Sequence, residues 1–258
     1  MWKELYQYRE LLAAFTLRNI KIKYKQTLFG FVWAIFMPLI IVFSGILIKI
    51  VMAKISHNRL ELNEIASVAV KALPWAFFIG SLKFSVGSLV TNMTIIQKIY
   101  FPRIIFPLSY TFGQLFDFAI ASIAFTIIFI LAKIGASIYL LWLPLLIIIL
   151  FLFTAGLGFI FSCANLFFRD VRYIVDVILS FAIFFTPVFY DANMFGRWKP
   201  LLMINPISSI LESMNDVVVL QRTPHMGWFT YALCASFLVF FGGWFFFQKA
   251  EPAFAENI

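Results

Sequence analysis

From Arg18 to Pro38 the chain passes directly from a basic cluster, Arg18, Lys21, Lys23 and Lys25, into a long apolar run that opens at Gly30. The first half suits a charged membrane surface and the second a bilayer interior, so this junction sets an orientation for everything downstream. The rest of the chain asks for the same solvent. Of its 258 residues, 63% are hydrophobic and only 12% are charged, and mean hydropathy is +0.96. A soluble domain of this length cannot hide that much apolar surface, so lipid is the solvent for most of it. The formal net charge of +8 then belongs to lysines and arginines at membrane edges, and no nucleic-acid partner is expected.

The hydropathy pattern predicts an all-α integral membrane protein. Residues 1–28 read as an amphipathic interface helix, with Leu5, Tyr8, Leu12, Phe15 and Ile22 at steps of three and four, interrupted by Asn19. Arg18, Lys21 and Lys25 follow the same period on another side. No cleavable leader is expected, so the first span would act as its own insertion signal. Six spans are predicted, at about 30–52, 73–90, 104–131, 138–166, 174–190 and 228–247, forming a single transmembrane domain over 1–258 with a six-span region at 30–247. Residues 53–72 read as a polar loop. Residues 191–227 mix charge with an apolar face (Ile207, Ile210, Leu211, Met214), which fits short re-entrant or interfacial helices. Residues 248–258 form a polar tail. Counting Lys and Arg on each side puts both termini, and this tail, in the cytoplasm.

Lys49, Lys83 and Asp117 are the ionisable residues that fall within these spans, Lys49 near enough to an end to snorkel. Asp117 is the one candidate for ion coupling, with Lys83 as its possible counter-ion. A structural hydrogen bond between helices explains it equally well. Cys163 and Cys234 both lie in apolar runs and read as small hydrophobes. No phosphate loop, zinc-protease motif or convergent set of His and carboxylates is present, so catalysis is not expected of this chain. Gly156 and Gly158 allow close helix contact. A solute moved uphill by such a body needs energy from elsewhere, which an ATPase docked on the cytoplasmic segments would supply.

The stretch Leu17-Arg-Asn-Ile-Lys-Ile-Lys-Tyr-Lys-Gln-Thr-Leu-Phe-Gly-Phe-Val-Trp-Ala-Ile-Phe-Met-Pro38 resembles the amino-terminal signature of the membrane subunit of ABC transporters that export polysaccharides, the O-antigen, capsule and teichoic-acid group. The likeness continues through Leu73-Pro-Trp-Ala-Phe-Phe78, Lys98-Ile-Tyr-Phe-Pro-Arg103, Phe168-Arg-Asp-Val-Arg-Tyr173, Thr186-Pro-Val-Phe-Tyr190, Ile204-Asn-Pro206 and the carboxyl-terminal Phe247–Ile258. It covers nearly the whole chain and is most like the O-antigen branch.

The resemblance implies the permease half of an ATP-driven exporter of a lipid-linked polysaccharide in the bacterial inner membrane. It implies a homodimer with two separate nucleotide-binding subunits. This chain would bind no cofactor, and ATP and Mg would sit on the partner. Arg18, Lys21, Lys23 and Lys25 would meet the anionic lipid head and gate its entry. Phe29, Trp33, Phe36, Phe181, Phe184 and Phe185 would line the path, where aromatic faces suit sugar rings. Asn92, Ile96, Lys98, Tyr100 and Arg103 would couple to the ATPase. The rival readings are an ion-coupled secondary transporter and an ABC exporter of a smaller lipid or drug.

Overall fold

The computed structural model describes residues 6–25, 30, 32–55, 57, 61–98, 101–133 and 135–254. These residues fold into helices joined by short turns, with no strand among them. Helix α1 is Arg9–Tyr24, α2 Val32–Ile55, α3 Leu62–Val86, α4 Ser88–Thr91, α5 Met93–Ile96 and α6 Ile105–Leu131. A 3-10 turn at Ile138–Trp142 leads into α7, Leu143–Phe167. Then come α8 Asp170–Ala182, α9 Lys199–Met203, α10 Pro206–Val218 and α11 Met226–Ala250. Among the described residues, five segments are long and apolar enough to cross a bilayer: α2, α3, α6, the unit Ile138–Phe167, and Met226–Ala253. The chain is a multi-pass membrane protein.

The second span begins earlier than its hydropathy predicts. Residues 62–72, expected as loop, are the first turns of α3. Ala66, Val68, Ala69 and Ala72 bury one side of those turns, and Pro74 is accommodated inside the helix. Asn63 and Glu64 mask this in a hydropathy reading because they belong to the membrane edge rather than to a loop.

The predicted fifth span is not one long helix. α8 has 13 residues, about 20 Å of rise against a hydrocarbon core of about 30 Å. A 3-10 turn at Ile183–Phe185 follows, and the helix then opens at Thr186 and Pro187. The freed polar groups are answered locally. Thr186 Oγ1 donates to the Ala182 carbonyl at 2.9 Å and accepts from Asn205 Nδ2 at 3.2 Å, as irregular backbone at membrane depth requires. Asn205 also caps α10, accepting from the Ile207 amide at 3.3 Å, with Pro206 as first residue. Asn205 and Ile207 share a small cavity with Trp75, Phe78 and Leu82 of α3. Met214 and Val218, further along α10, stand beside Ala69 and Leu73 of α3. So α10 runs along α3 toward its first turns, away from the end that carries α1.

The tightest helix pair is α7 with α11. A Cβ on Gly156 would lie 2.6 Å from the backbone of Val239 and Phe240, and Gly243 faces the Gly156 carbonyl just as closely. Small residues let these backbones touch, the main source of helix association in lipid. Gly158 gives α3 the same access at Ser85. Around these contacts lie two aromatic-rich clusters. One joins Trp75 and Phe78 to Phe153 and Phe229 in mid-bundle. The other gathers Phe15, Phe101, Phe106, Phe159, Phe247 and Phe254 at the α1 end.

Candidate functional site at the α1 end

Helix α1 docks on α6 through residues four apart. Phe15, Asn19 and Lys23 share one face, since i and i+4 positions align on a helix. Phe15 is buried against the rings of Phe101 and Phe106, with centroids 5.8 and 5.0 Å away. Asn19 Nδ2 donates to Ser109 Oγ at 3.0 Å. Lys23 Nζ donates to one oxygen of Asp117, and the Tyr24 hydroxyl to the other. The apolar series expected along this helix is thereby corrected: Ile22 is 65% exposed, whereas Asn19 belongs to the docked face. The docking is apolar at Phe15, against Phe106 of α6, and polar further along, where α6 offers Ser109 and Asp117.

The pairing of Asp117 with Lys83 does not occur. Lys83 reaches Asp176 of α8 instead, at 3.8 Å. Asp117, buried to 7% exposure, is held by two donors from α1. Burial, and then its hydrogen bond to this carboxylate, push the Tyr24 phenol well above its usual range, so Tyr24 remains a donor at any physiological pH.

Between α1, α3, α6 and α8 this docking leaves a cleft of about 350 Å3, lined by Lys23, Lys83 and Arg172. Thr91, Gln114 and the parallel ring pair Phe84–Tyr110 complete it; those ring planes lie 3° apart and their centroids 6.2 Å. Lys23 Nζ also sits 5.4 Å from the Phe84 ring. Gly80 makes the room for Gln114, whose Oε1 would lie 2.6 Å from any Cβ there. Three cations face one lining carboxylate, Asp117, and Lys83 also reaches Asp176 just outside the lining, so the cleft keeps a positive excess of one. That combination can hold an anionic group by charge and an adjoining ring or chain by stacking.

The other residues proposed from sequence separate. Arg18 turns away from the cleft, bonds Asn92 Oδ1 and stacks on Phe15 at 4.7 Å. Lys21 and Lys25 are exposed. Asn92 and Ile96 are buried, Asn92 also donating to the Ser88 carbonyl at 2.8 Å, while Lys98 is exposed. Arg103 is committed to the carboxyl-terminal segment: its amide donates to Glu251 Oε1 and its Nη1 to the Glu251 carbonyl, both at 2.9 Å. Trp33 and Phe36 form an edge-to-face pair at 5.2 Å on the open face of α2. Phe181 in the last turn of α8, and Phe184 and Phe185 in the 3-10 turn after it, are exposed and continue the open face of Tyr173, Ile174, Val177 and Ile178. Phe29 and Tyr100 lie outside the described residues.

Sequence reasoning missed the buried charges at the opposite end. Lys49, expected to snorkel, is 3% exposed and pairs with Asp191 Oδ2 at 2.8 Å. Lys71, expected in a loop, is 1% exposed and bonds Glu212 at 2.7 Å and Asp191 at 3.4 Å. Burial alone would raise the Asp191 pKa, but Lys71 and then Lys49 outweigh it and hold the carboxyl below its usual range. The available signal was two lysines in apolar surroundings and three carboxylates, Asp191, Glu212 and Asp216, in the mixed segment 191–227, with no visible pairing.

Residues 10–219, α1 through α10, match the ABC-2 type transporter family. The chain belongs to that family. Among curated ABC-2 relatives, it is 28% identical over 252 residues to the O-antigen export system permease protein RfbA of Klebsiella pneumoniae, covering 96% of this chain and 94% of that one. To the permease of the same name from Myxococcus xanthus it is 24% identical over 259 residues, covering 99% and 98%. The ABC-2 match takes in both the basic cleft and the buried charges of the far end.

Proposed function

We propose that this chain is the transmembrane subunit of an ATP-driven ABC exporter that carries a lipid-linked polysaccharide, most simply an O-antigen, across the bacterial inner membrane. The observation that carries the reading is the cleft where Lys23, Lys83 and Arg172 meet the Phe84–Tyr110 pair, in a chain similar along its length to O-antigen export permeases. A phosphate-bearing lipid head entering from the cytoplasmic leaflet meets these cations at the membrane edge. Its first sugar then finds aromatic faces. Of the basic cluster in α1, Lys23 is the head-group contact. Arg18 positions the helix.

In this reading the α1 end faces the cytoplasm and holds both termini. α8 and the opened segment after it complete a sixth crossing. Two copies pair across the open faces of α2 and α8, with Trp33, Phe36, Phe181, Phe184 and Phe185 lining the path between them. Two nucleotide-binding subunits hold ATP and Mg and dock at the α4–α5 segment through Lys98, and the permease itself is not an enzyme. Arg103 transmits rather than contacts, because its bonds to Glu251 tie that segment to the end of α11.

Ion coupling through Asp117 is the weaker reading, since Lys23 and Tyr24 already occupy both of its oxygens. Purification of the tagged chain from native membranes tests the proposal. It should bring down a stoichiometric ATPase whose activity rises with pyrophosphate-linked glycolipid. A fully active permease that purifies alone refutes it.

A further inference from the structure

At the end opposite α1, a second cleft of about 510 Å3 opens between the start of α3, the Asp191–Met194 segment and α10. Its polar lining is acidic, with Glu61, Asn63, Glu64 and Ser67 from the start of α3 and Asp191, Asn193, Glu212 and Asn215 opposite, and Met194, Val219 and Leu220 add apolar surface. No Lys or Arg lines it among the described residues. Lys49 and Lys71 pair with Asp191 and Glu212 and match their charge, and Lys199 reaches the rim by donating to Asn193 Oδ1 at 2.7 Å, so Glu61 and Glu64 leave the cleft with a net negative charge of one. A second observation is independent of the acids. Asn215 is 4% exposed, lines the cleft, and its Oδ1 is buried with no hydrogen-bond partner. A buried amide oxygen left unpaired is costly and asks for a donor.

We propose that this cleft is a saccharide subsite that takes a neutral sugar residue. The inference rests on the export reading above and adds a selectivity to it. Carboxylates accept from vicinal hydroxyls two at a time, side-chain amides serve as donor or acceptor, and the Asn215 oxygen takes one further hydroxyl. Met194, Val219 and Leu220 of the same lining offer apolar surface to the sugar's C–H groups. The negative excess repels a uronate or phosphorylated sugar. A metal ion fits poorly, because Asp191 and Glu212 are committed to lysines and no group of three metal-ligating side chains converges among the described residues. The same chain therefore carries a cationic site at one end for an anionic head and an acidic site at the other for the neutral polymer that follows.

Saturation-transfer NMR on the purified permease in nanodiscs tests this without the lipid-linked substrate, ATP or ATPase. The probes are manno-, galacto- and gluco-configured tetrasaccharides, with tetragalacturonate as the acidic counterpart. At least one neutral tetrasaccharide should receive saturation and tetragalacturonate none. Asn215→Leu should reduce that signal about fivefold, the scale of one lost hydrogen bond, and Glu64→Gln should admit tetragalacturonate. If Asn215→Leu does not fold, Glu64→Gln, at the partly exposed rim, decides alone. Silence from all neutral probes, equal signals from neutral and acidic ones, or an unchanged profile in the folded variants overturns the subsite. An ATPase that co-purifies while no sugar binds removes this inference only; sugar binding without an ATPase removes the export reading only.

Discussion

The two ends of the molecule use ion pairs to opposite purposes. At the far end, Lys49 and Lys71 are nearly inaccessible and matched one for one by Asp191 and Glu212. At the α1 end, Lys23, Lys83 and Arg172 outnumber the one carboxylate lining their cleft, and Lys83 and its partner Asp176 are more than 40% exposed. A matched buried group has little capacity for a ligand's charge. Its removal from one side leaves a naked ion in low dielectric. An excess near water costs little to maintain and remains available. The contrast separates two uses of charge: the far-end quartet is matched and holds the opened segment after α8 against α2 and α3, while the α1 end carries more cations than its carboxylates match.

The largest expected effect breaks the far-end quartet. Lys71→Met leaves Glu212 without its cation and should cost about 3–5 kcal/mol of stability, read as a lower unfolding temperature in detergent. Adding Glu212→Gln should restore most of the loss, because the orphaned charge goes with its partner. A single variant as stable as the parent would erase the distinction between the ends.

An intermediate effect is expected at the α1 end, on binding instead of stability. Lys83→Ala with Arg172→Ala should weaken a pyrophosphate-bearing lipid by about tenfold while the unfolding temperature stays within a degree or two of wild type. Native mass spectrometry with that lipid reads the first quantity and thermal unfolding the second. Lost stability with unchanged lipid binding would mean that these cations, too, are structural.

The smallest effect is in acid. Because Asp191 is held below the usual carboxylate range, the folded state binds fewer protons there than the unfolded chain. Its contribution is complete above the ordinary Asp pKa of about 3.9 and falls away as pH drops through that value toward the lower one. Asp191→Asn should flatten the acid limb of the stability curve, and Lys83→Ala should leave it as in wild type. Equal flattening by both would show that the acid response is not local to the quartet.

Much of this was legible without coordinates. Apolar runs near 20 residues admit few outcomes in a bilayer, so an all-helical, multi-pass body followed from hydropathy alone, with the basic Arg18–Lys25 stretch at one edge. Gly156 was readable as a contact point because only small residues let backbones meet in lipid. The errors share a cause. Residues 62–72 read as loop because Asn63, Glu64 and Lys71 lower local hydropathy. Yet a lysine can lie in a membrane helix when a carboxylate from another element meets it, and Glu212 lies 141 residues further on.

The amino-acid sequence by itself determined the solvent, the helical class and the placing of most spans, since these depend on transfer energies summed over neighbouring residues. Only the tertiary structure decided that Asp117 faces Lys23 and not Lys83, that Asn19 rather than Ile22 contacts α6 in the docking of α1, and that Lys49 and Lys71 converge on Asp191. Those outcomes depend on which distant donor reaches which acceptor, and pairing across space leaves no periodic trace along the chain.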